Sequence, residues 1–274
     1  MDSRLVIANI ERIKKLQNEQ HATSLKAIVY GTPKVGKSTL IKTCPTPILI
    51  HSFDPGGTKV VSEMIAKGDV ITDTRFEQEN PLKPMAYQKW KKEMDDLESS
   101  GFFNHIRTYV LDSFTTWAQC IMYHVIKGQA DKSNGKRKAG ETPQQHDWLM
   151  QMNEIEIWMR RFTSLPCHCI AVGHEDIPTD ENGKQIADKR PMLTGKLAMR
   201  VPALFDEVYH MAIKDQVKGT RMLQTGISQR IHAGTRIGRD GKFELYEEPN
   251  IRALIKKAGL DASDLPSLTQ QETT

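Results

Sequence analysis

LKAIVYGTPKVGKSTLIKT, residues 25–43, runs from a mostly apolar segment through a glycine-bounded turn into a second apolar segment. Gly31, Gly36, Lys37 and Ser38 satisfy the pattern G-x-x-x-x-G-K-[ST], with a strand expected over 25–30 and a helix over 37–43. That flanking context separates a phosphate-binding loop from a Gly-rich turn that merely precedes a helix. Glycines let successive N–H groups turn inward toward an anion, and the N-terminus of the following helix adds partial positive charge. The expected cradle for ATP is Gly31, Thr32, Pro33, Lys34, Val35, Gly36, Lys37, Ser38 and Thr39. In it Lys37 reaches the β and γ oxygens and the Ser38 hydroxyl is offered to Mg²⁺.

A phosphate loop needs partners at the ends of neighbouring strands. TYVLDS, residues 108–113, ends an apolar run in Asp112, which suits a metal-holding carboxylate. Asp112 and Ser113 also stand where a helix beginning at Phe114 wants its N-cap. HSFDPGG, residues 51–57, sets Asp54 after the second strand, where it either orients water or shapes the turn with Pro55, Gly56 and Gly57. AVGHED, residues 171–176, ends the fourth strand with His174 and Glu175. His174 is a candidate γ-phosphate sensor or a structural strand-end residue, and Glu175 is the next carboxylate in line to orient water.

Around these motifs the chain alternates strand and helix. Strands are expected over 25–30, 47–52, 106–112 and 168–173, each apolar on both faces as buried parallel strands are, with helices over 37–43, 84–99, 114–126 and 147–164. The expected class is α/β: a mostly parallel sheet flanked by helices. Past Gly173 the pattern changes. Asn182-Gly183 and Asp240-Gly241 each predict a β-hairpin, 205–214 and 220–228 read as further strands, and a helix closes at Gly259. Ahead of this core, Leu5, Ile7, Ile10, Ile13 and Leu16 predict an amphipathic helix that covers its own sheet or docks on a neighbouring subunit. The division expected is 1–20 for that helix, 21–260 for the core and 261–274 for a disordered tail.

Composition excludes several classes. The chain of 274 residues is 38% hydrophobic, has a formal net charge of +4, and lacks any apolar run near the roughly 18 residues that cross a bilayer. Asp2, Arg4 and Glu11 interrupt the start, so no secretory leader is expected and the location expected is cytoplasmic. Cys44, Cys120, Cys167 and Cys169 do not form a disulfide framework, and Cys167-His168-Cys169 reads as part of a buried strand rather than a zinc site. The one locally basic stretch is KGQADKSNGKRKAGETPQQHD, residues 127–147. Its glycines and Pro143 predict a flexible loop carrying Lys127, Lys132, Lys136, Arg137 and Lys138.

Six segments, GTPKVGKST, ILIHSFDPGG, TYVLDS, CIAVGH, GKLAMRVPALFDEVYHM and TRIGRDGKFELYEEPNIRALIKKAG, together resemble phage-type P-loop proteins with a RecA-like ATPase core, including the Sak-type single-strand annealing proteins. The resemblance spans roughly Ser24 to Gly259. It implies ATP hydrolysis with Mg²⁺, with Asp54 standing where such proteins usually place a catalytic glutamate. It implies single-stranded DNA held by the segments 127–147 and 175–195, a homo-oligomeric ring or filament, and a single-strand-binding protein as a further partner. It also implies an arginine, Arg230 or Arg236, that crosses to the neighbouring subunit's nucleotide. The activity implied is annealing or strand exchange in phage recombination. Two other classes share the loop: a small-molecule kinase, and an ATP-driven switch or loader in a replication or packaging complex.

Overall fold

The computed structural model describes residues 3–20, 24–228 and 230–268. Helix α1 (Ser3–Gln20) precedes strand β1 (Lys26–Gly31), the short helix α2 (Lys37–Leu40), β2 (Ile48–Ser52), α3 (Ser62–Ala66), β3 (Val70–Asp73) and α4 (Ala86–Ser99). Then follow β4 (Thr108–Asp112), α5 (Phe114–Lys132), α6 (Gln145–Ser164), β5 (His168–Asp176), β6 (Arg190–Pro191) and α7 (Leu197–Arg200). The chain continues through β7 (Glu207–Asp215), β8 (Thr220–Gln224), β9 (Gly234–Thr235), β10 (Tyr246–Glu247) and α8 (Ile251–Ala258).

The sheet runs β10-β8-β7-β1-β5-β4-β2-β3, with β6 paired to β5 and β9 to β7. From β7 to β3 every neighbour on this path is parallel. The edge beyond β7 is antiparallel. Strands β1, β2 and β4 are buried along their whole length, as expected for apolar runs covered on both faces. One face packs on α4, α5 and α6 through a core in which Trp117 and Trp158 lie edge-on to Trp90, with centroids 5.3 and 4.6 Å away. The other face carries α2 and α8. Because β5 lies between β1 and β4, its last residues stand between the phosphate loop and Asp112.

Several expectations change. Helix α5 does not stop at 126 but continues through Gly128 to Lys132, so Lys127 and Lys132 are helical. Asn182-Gly183 turns as expected, bringing β6 antiparallel to β5. The arms flanking Asp240-Gly241 do not pair with each other: β9 joins β7 and β10 joins β8. Strand β3, at the sheet edge, had too weak an alternation to be read. Of the tail expected over 261–274, residues 261–268 pack on the core. Ala262 is buried, the Leu265 amide donates to the Thr46 carbonyl at 2.9 Å, and Asp264 pairs with Arg252 at 2.6 Å. Residues 269–274 lie outside the described residues. On α1, Leu5, Ile7, Ile10 and Ile13 stand 47–64% exposed. Among the described residues no helix is long and apolar enough to cross a membrane.

Candidate active site

The loop between β1 and α2 closes on itself through its own lysine. The Lys37 ammonium, nearly buried, donates to the Gly31 and Thr32 carbonyls at 2.9 and 2.8 Å. Burial pushes its pKa below the ordinary lysine value, while Asp112, Asp54 and Glu175 pull it back up. Gly36 sits at φ 107°, in the left-handed region that a side chain disfavours. A Cβ there would also lie 2.6 Å from the Arg221 guanidinium.

Facing the loop are groups from the carboxyl ends of β2, β4 and β5. The Ser38 hydroxyl donates to Asp112 Oδ2 at 2.8 Å, so the two expected metal ligands meet. The following Asp112–Ser113 peptide is cis. Ser113 caps α5 by accepting from the Thr116 amide at 3.3 Å, which leaves Asp112 free of that duty. A Cβ built on Gly57 would lie 3.5 Å from Asp112 Oδ2, 3.8 Å from Ser52 Oγ and 4.0 Å from Ser38 Oγ. Glycine thus leaves open a space bordered by three oxygens, which a side chain would occupy. Burial pushes the Asp112 carboxyl up to about 6, against the pull of the Ser38 hydrogen bond. A carboxylate in that position calls for a cation. Mg²⁺ suits the donor set, since it takes one or two protein ligands and completes its shell with water and phosphate oxygens.

Asp54 differs from Asp112. His174 Nε2 lies 3.4 Å from Asp54 Oδ2, and the Thr116 hydroxyl donates to Oδ1. Burial raises the Asp54 pKa, but hydrogen bonds from His174, Thr116 and Ser113 outweigh it and hold the carboxyl below its ordinary value. It therefore stays charged at neutral pH, half-buried beside the phosphate loop. Such a group accepts a hydrogen bond from water and aims it, rather than storing a proton. His174 is held in turn, its amide donating to Thr115 Oγ1 at 3.0 Å. One cleft of about 490 Å³ joins the loop, Asp54, Gly57, Asp112, His174 and Arg221.

Three contributors escaped the sequence reading. Arg221 on β8 donates from Nε to the Val35 carbonyl at 2.6 Å and is the arginine of this cleft. It lies 185 residues beyond Gly36, and no local motif marks it. Glu77 accepts from Ser52 Oγ at 2.7 Å and from the Gly56 amide at 3.1 Å, fixing the turn that carries Asp54. Thr116 had only its place in the first turn of α5 to recommend it.

Other candidates stand elsewhere. Glu175 faces the side of β5 opposite His174, buried, its carboxylate accepting from His210 Nε2 at 2.8 Å. Lys127 pairs with Asp131 one turn on. Arg137, expected on a DNA phosphate, has its guanidinium on Asp147 (Nη1–Oδ1 2.9 Å), with only 11% of the arginine side chain and none of the aspartate exposed. Lys132, Lys136 and Lys138 are exposed. Arg230 donates to the Gln185 carbonyl at 2.8 Å. Arg236 bonds the Ala203 carbonyl at 3.0 Å, near the amino ends of β1 and β7 and so across the sheet from its own phosphate loop. All four cysteines are buried, and Cys169 accepts from Lys26 Nζ at 3.4 Å.

A family model described as an AAA domain matches residues 23–237, which takes in the loop, Asp54, Asp112, His174 and Arg221. No curated protein matches the chain.

Proposed function

The chain belongs to this AAA-domain family, with the α/β fold of a P-loop NTPase, and from that premise we propose that it hydrolyses ATP to govern a homo-oligomer that holds single-stranded DNA. The observation that carries the ATPase half is the meeting of Ser38 with Asp112, and of Asp54 with His174 and Thr116, in one cleft under the phosphate loop. ATP phosphates rest against the loop amides and Lys37, which exchanges its bonds to Gly31 and Thr32 carbonyls for phosphate oxygens. A bound Mg²⁺, held by Ser38 and Asp112, supplies charge neutralisation on those oxygens. Asp54 accepts a hydrogen bond from the attacking water. As water's oxygen bonds to the γ-phosphorus, the bond to the bridging oxygen breaks, ADP leaves and the water's proton ends on the released phosphate. His174, tied to Asp54, links the γ-phosphate position to the carboxylate.

The DNA half rests on the resemblance and on charge. Lys132, Lys136 and Lys138 are exposed, and among the described residues none has a carboxylate within ion-pair distance. Three phosphate contacts imply a log–log salt slope of about −2 per subunit, at about −0.7 per contact for single strands. Annealing or strand exchange in phage recombination is the process this chemistry serves, with ATP stabilising the assembled form and hydrolysis releasing the strand.

The test is ATP turnover with and without single-stranded DNA, with small phosphate acceptors in parallel. Mg²⁺-dependent phosphate release that rises with DNA is expected. Transfer to an acceptor instead of release would identify a kinase. Replacing Lys132, Lys136 and Lys138 together by alanine should flatten the salt slope; an unchanged slope would remove these lysines from the DNA path.

A further inference from the structure

Helix α5 leaves the nucleotide cleft carrying a second surface. Thr115, Gln119, Met122, Tyr123 and Ile126 recur at helical spacing along one of its sides and floor a groove of about 760 Å³. The walls come from far apart in the chain: the turn at 140–143 with Trp148 of the first turn of α6, and Asp176 with Arg190 and residues 192–195 where β6 returns along β5.

The lining is chemically specific. Trp148, 38% exposed, and Tyr123 offer flat aromatic surface. Gln119 presents an amide that bonds the Tyr123 hydroxyl at 2.6 Å. Asp176 and Arg190 face each other at 2.9 Å, each about one-third exposed, and so keep donors and acceptors at the groove wall. Arg137 holds the turn in place from behind, through Asp147 in the same helical turn as Trp148. Flat faces with a few in-plane polar groups fit a nucleobase. The groove's own charged lining is Glu141, Asp176 and Arg190, while Lys132, Lys136 and Lys138, at the end of α5 and on the turn that follows it, are exposed outside the lining; a strand whose phosphates meet these lysines would present its bases, not its phosphates, to the groove. The floor also begins at Thr115, which holds His174, one residue before Thr116, which holds Asp54. An occupant would therefore lie along the helix that sets the water-orienting carboxylate.

We propose that this groove between α5, the 140–148 segment and the β6 return binds the bases of single-stranded DNA, stacking at least one on Trp148. The proposal rests on single-stranded DNA being the polymer held, and differs from it in adding base contacts to the phosphate contacts of the lysines. One stacked base contributes roughly tenfold or more in affinity.

The experiment compares an oligodeoxythymidine with an abasic deoxyribose-phosphate oligomer of the same length, on the full chain, by affinity and tryptophan fluorescence. Trp90, Trp117 and Trp158 are at most 2% exposed, so a strand that quenches fluorescence reports on Trp148. The expected results are quenching by oligodeoxythymidine, binding at least about tenfold tighter than the abasic oligomer, and loss of most of that preference in Trp148→Ala. Trp148→Phe should keep much of the preference while losing the quenching. Equal affinity for the two oligomers, or an unchanged preference in Trp148→Ala, would overturn the groove while leaving the lysine-held strand standing. Failure of the parent protein to bind either oligomer at low salt would overturn the DNA reading itself.

Discussion

Lys37 and Arg137 are both cations drawn out of solvent beside a glycine-containing turn, and their surroundings assign them opposite work. Lys37 is satisfied by two neutral carbonyls, Gly31 and Thr32, with carboxylates nearby but none paired to it. Its charge remains available to an anion, because neutral carbonyls solvate the ammonium without neutralising it, and no counter-ion is abandoned when it turns to a phosphate. Arg137 is met by both oxygens of Asp147, whose Oδ2 also takes the Gln144 amide at 2.7 Å. Its charge is already spent on the N-terminus of α6. Pulling it toward DNA would leave Asp147 buried and unpaired, which costs more than a surface phosphate contact returns. A buried cation is thus a ligand group or a strut according to its acceptor.

The comparison breaks most visibly at Lys37. Lys37→Ala should lower ATP turnover by about 10³-fold or more, as removal of a charge that neutralises the transferring phosphoryl group does, with the far-UV spectrum unchanged. Turnover near the parent's would mean that the loop lysine does not meet the phosphate. Asp54→Asn should come next: about 10²-fold in kcat, with nucleotide affinity within a few-fold of the parent. Because the Asp54 carboxyl is held below its ordinary value, it stays ionised down into the ordinary carboxylate range, so a fall in the parent's turnover near pH 6 reports protonation of Asp112, whose carboxyl burial pushes up to about 6, and not of Asp54. A parental kcat in Asp54→Asn would shift the water to another group of the cleft.

How much of this was legible depended on whether the deciding contact is local. The phosphate loop is nine consecutive residues whose strand–turn–helix context lies in the adjoining text, so loop, strand and helix could all be read at once. Asp112 and His174 were legible because buried parallel strands are short apolar runs, and their last polar residues mark the ligand end of the sheet. Arg221 was not, because its partner is the Val35 carbonyl on a strand that only the sheet order brings near. Glu175 was misplaced by one step of the strand alternation: neighbours on a strand point to opposite faces, so the residue beside His174 could not share its cleft. The segment 127–147 misled through composition. Gly128 is tolerated inside α5, where α6 packs against the same helix, and Arg137 finds its acid ten residues on.

The smallest effect expected is the sharpest test of that last difference. Arg137→Ala should cost about 1–3 kcal/mol of stability, below the range for a fully buried pair because the arginine keeps some solvent contact. The cost should vary with pH in a defined direction. Arg137 first, and the Gln144 amide after it, hold the Asp147 carboxyl below its ordinary pKa. A depressed carboxylate contributes stability that is fully present above the unfolded pKa, near 4 for an aspartate, and that is lost as the pH falls through the lower folded value. The parent's advantage over Arg137→Ala in chemical denaturation should therefore be constant from pH 8 down to about 5 and shrink below about 4. Lys138→Ala on the same turn should change stability by less than about 0.5 kcal/mol at any pH, as exposed residues do. A Lys138→Ala loss equal to that of Arg137→Ala, or an Arg137→Ala loss that persists undiminished in acid, would show that the turn is held by something other than the Asp147 pair.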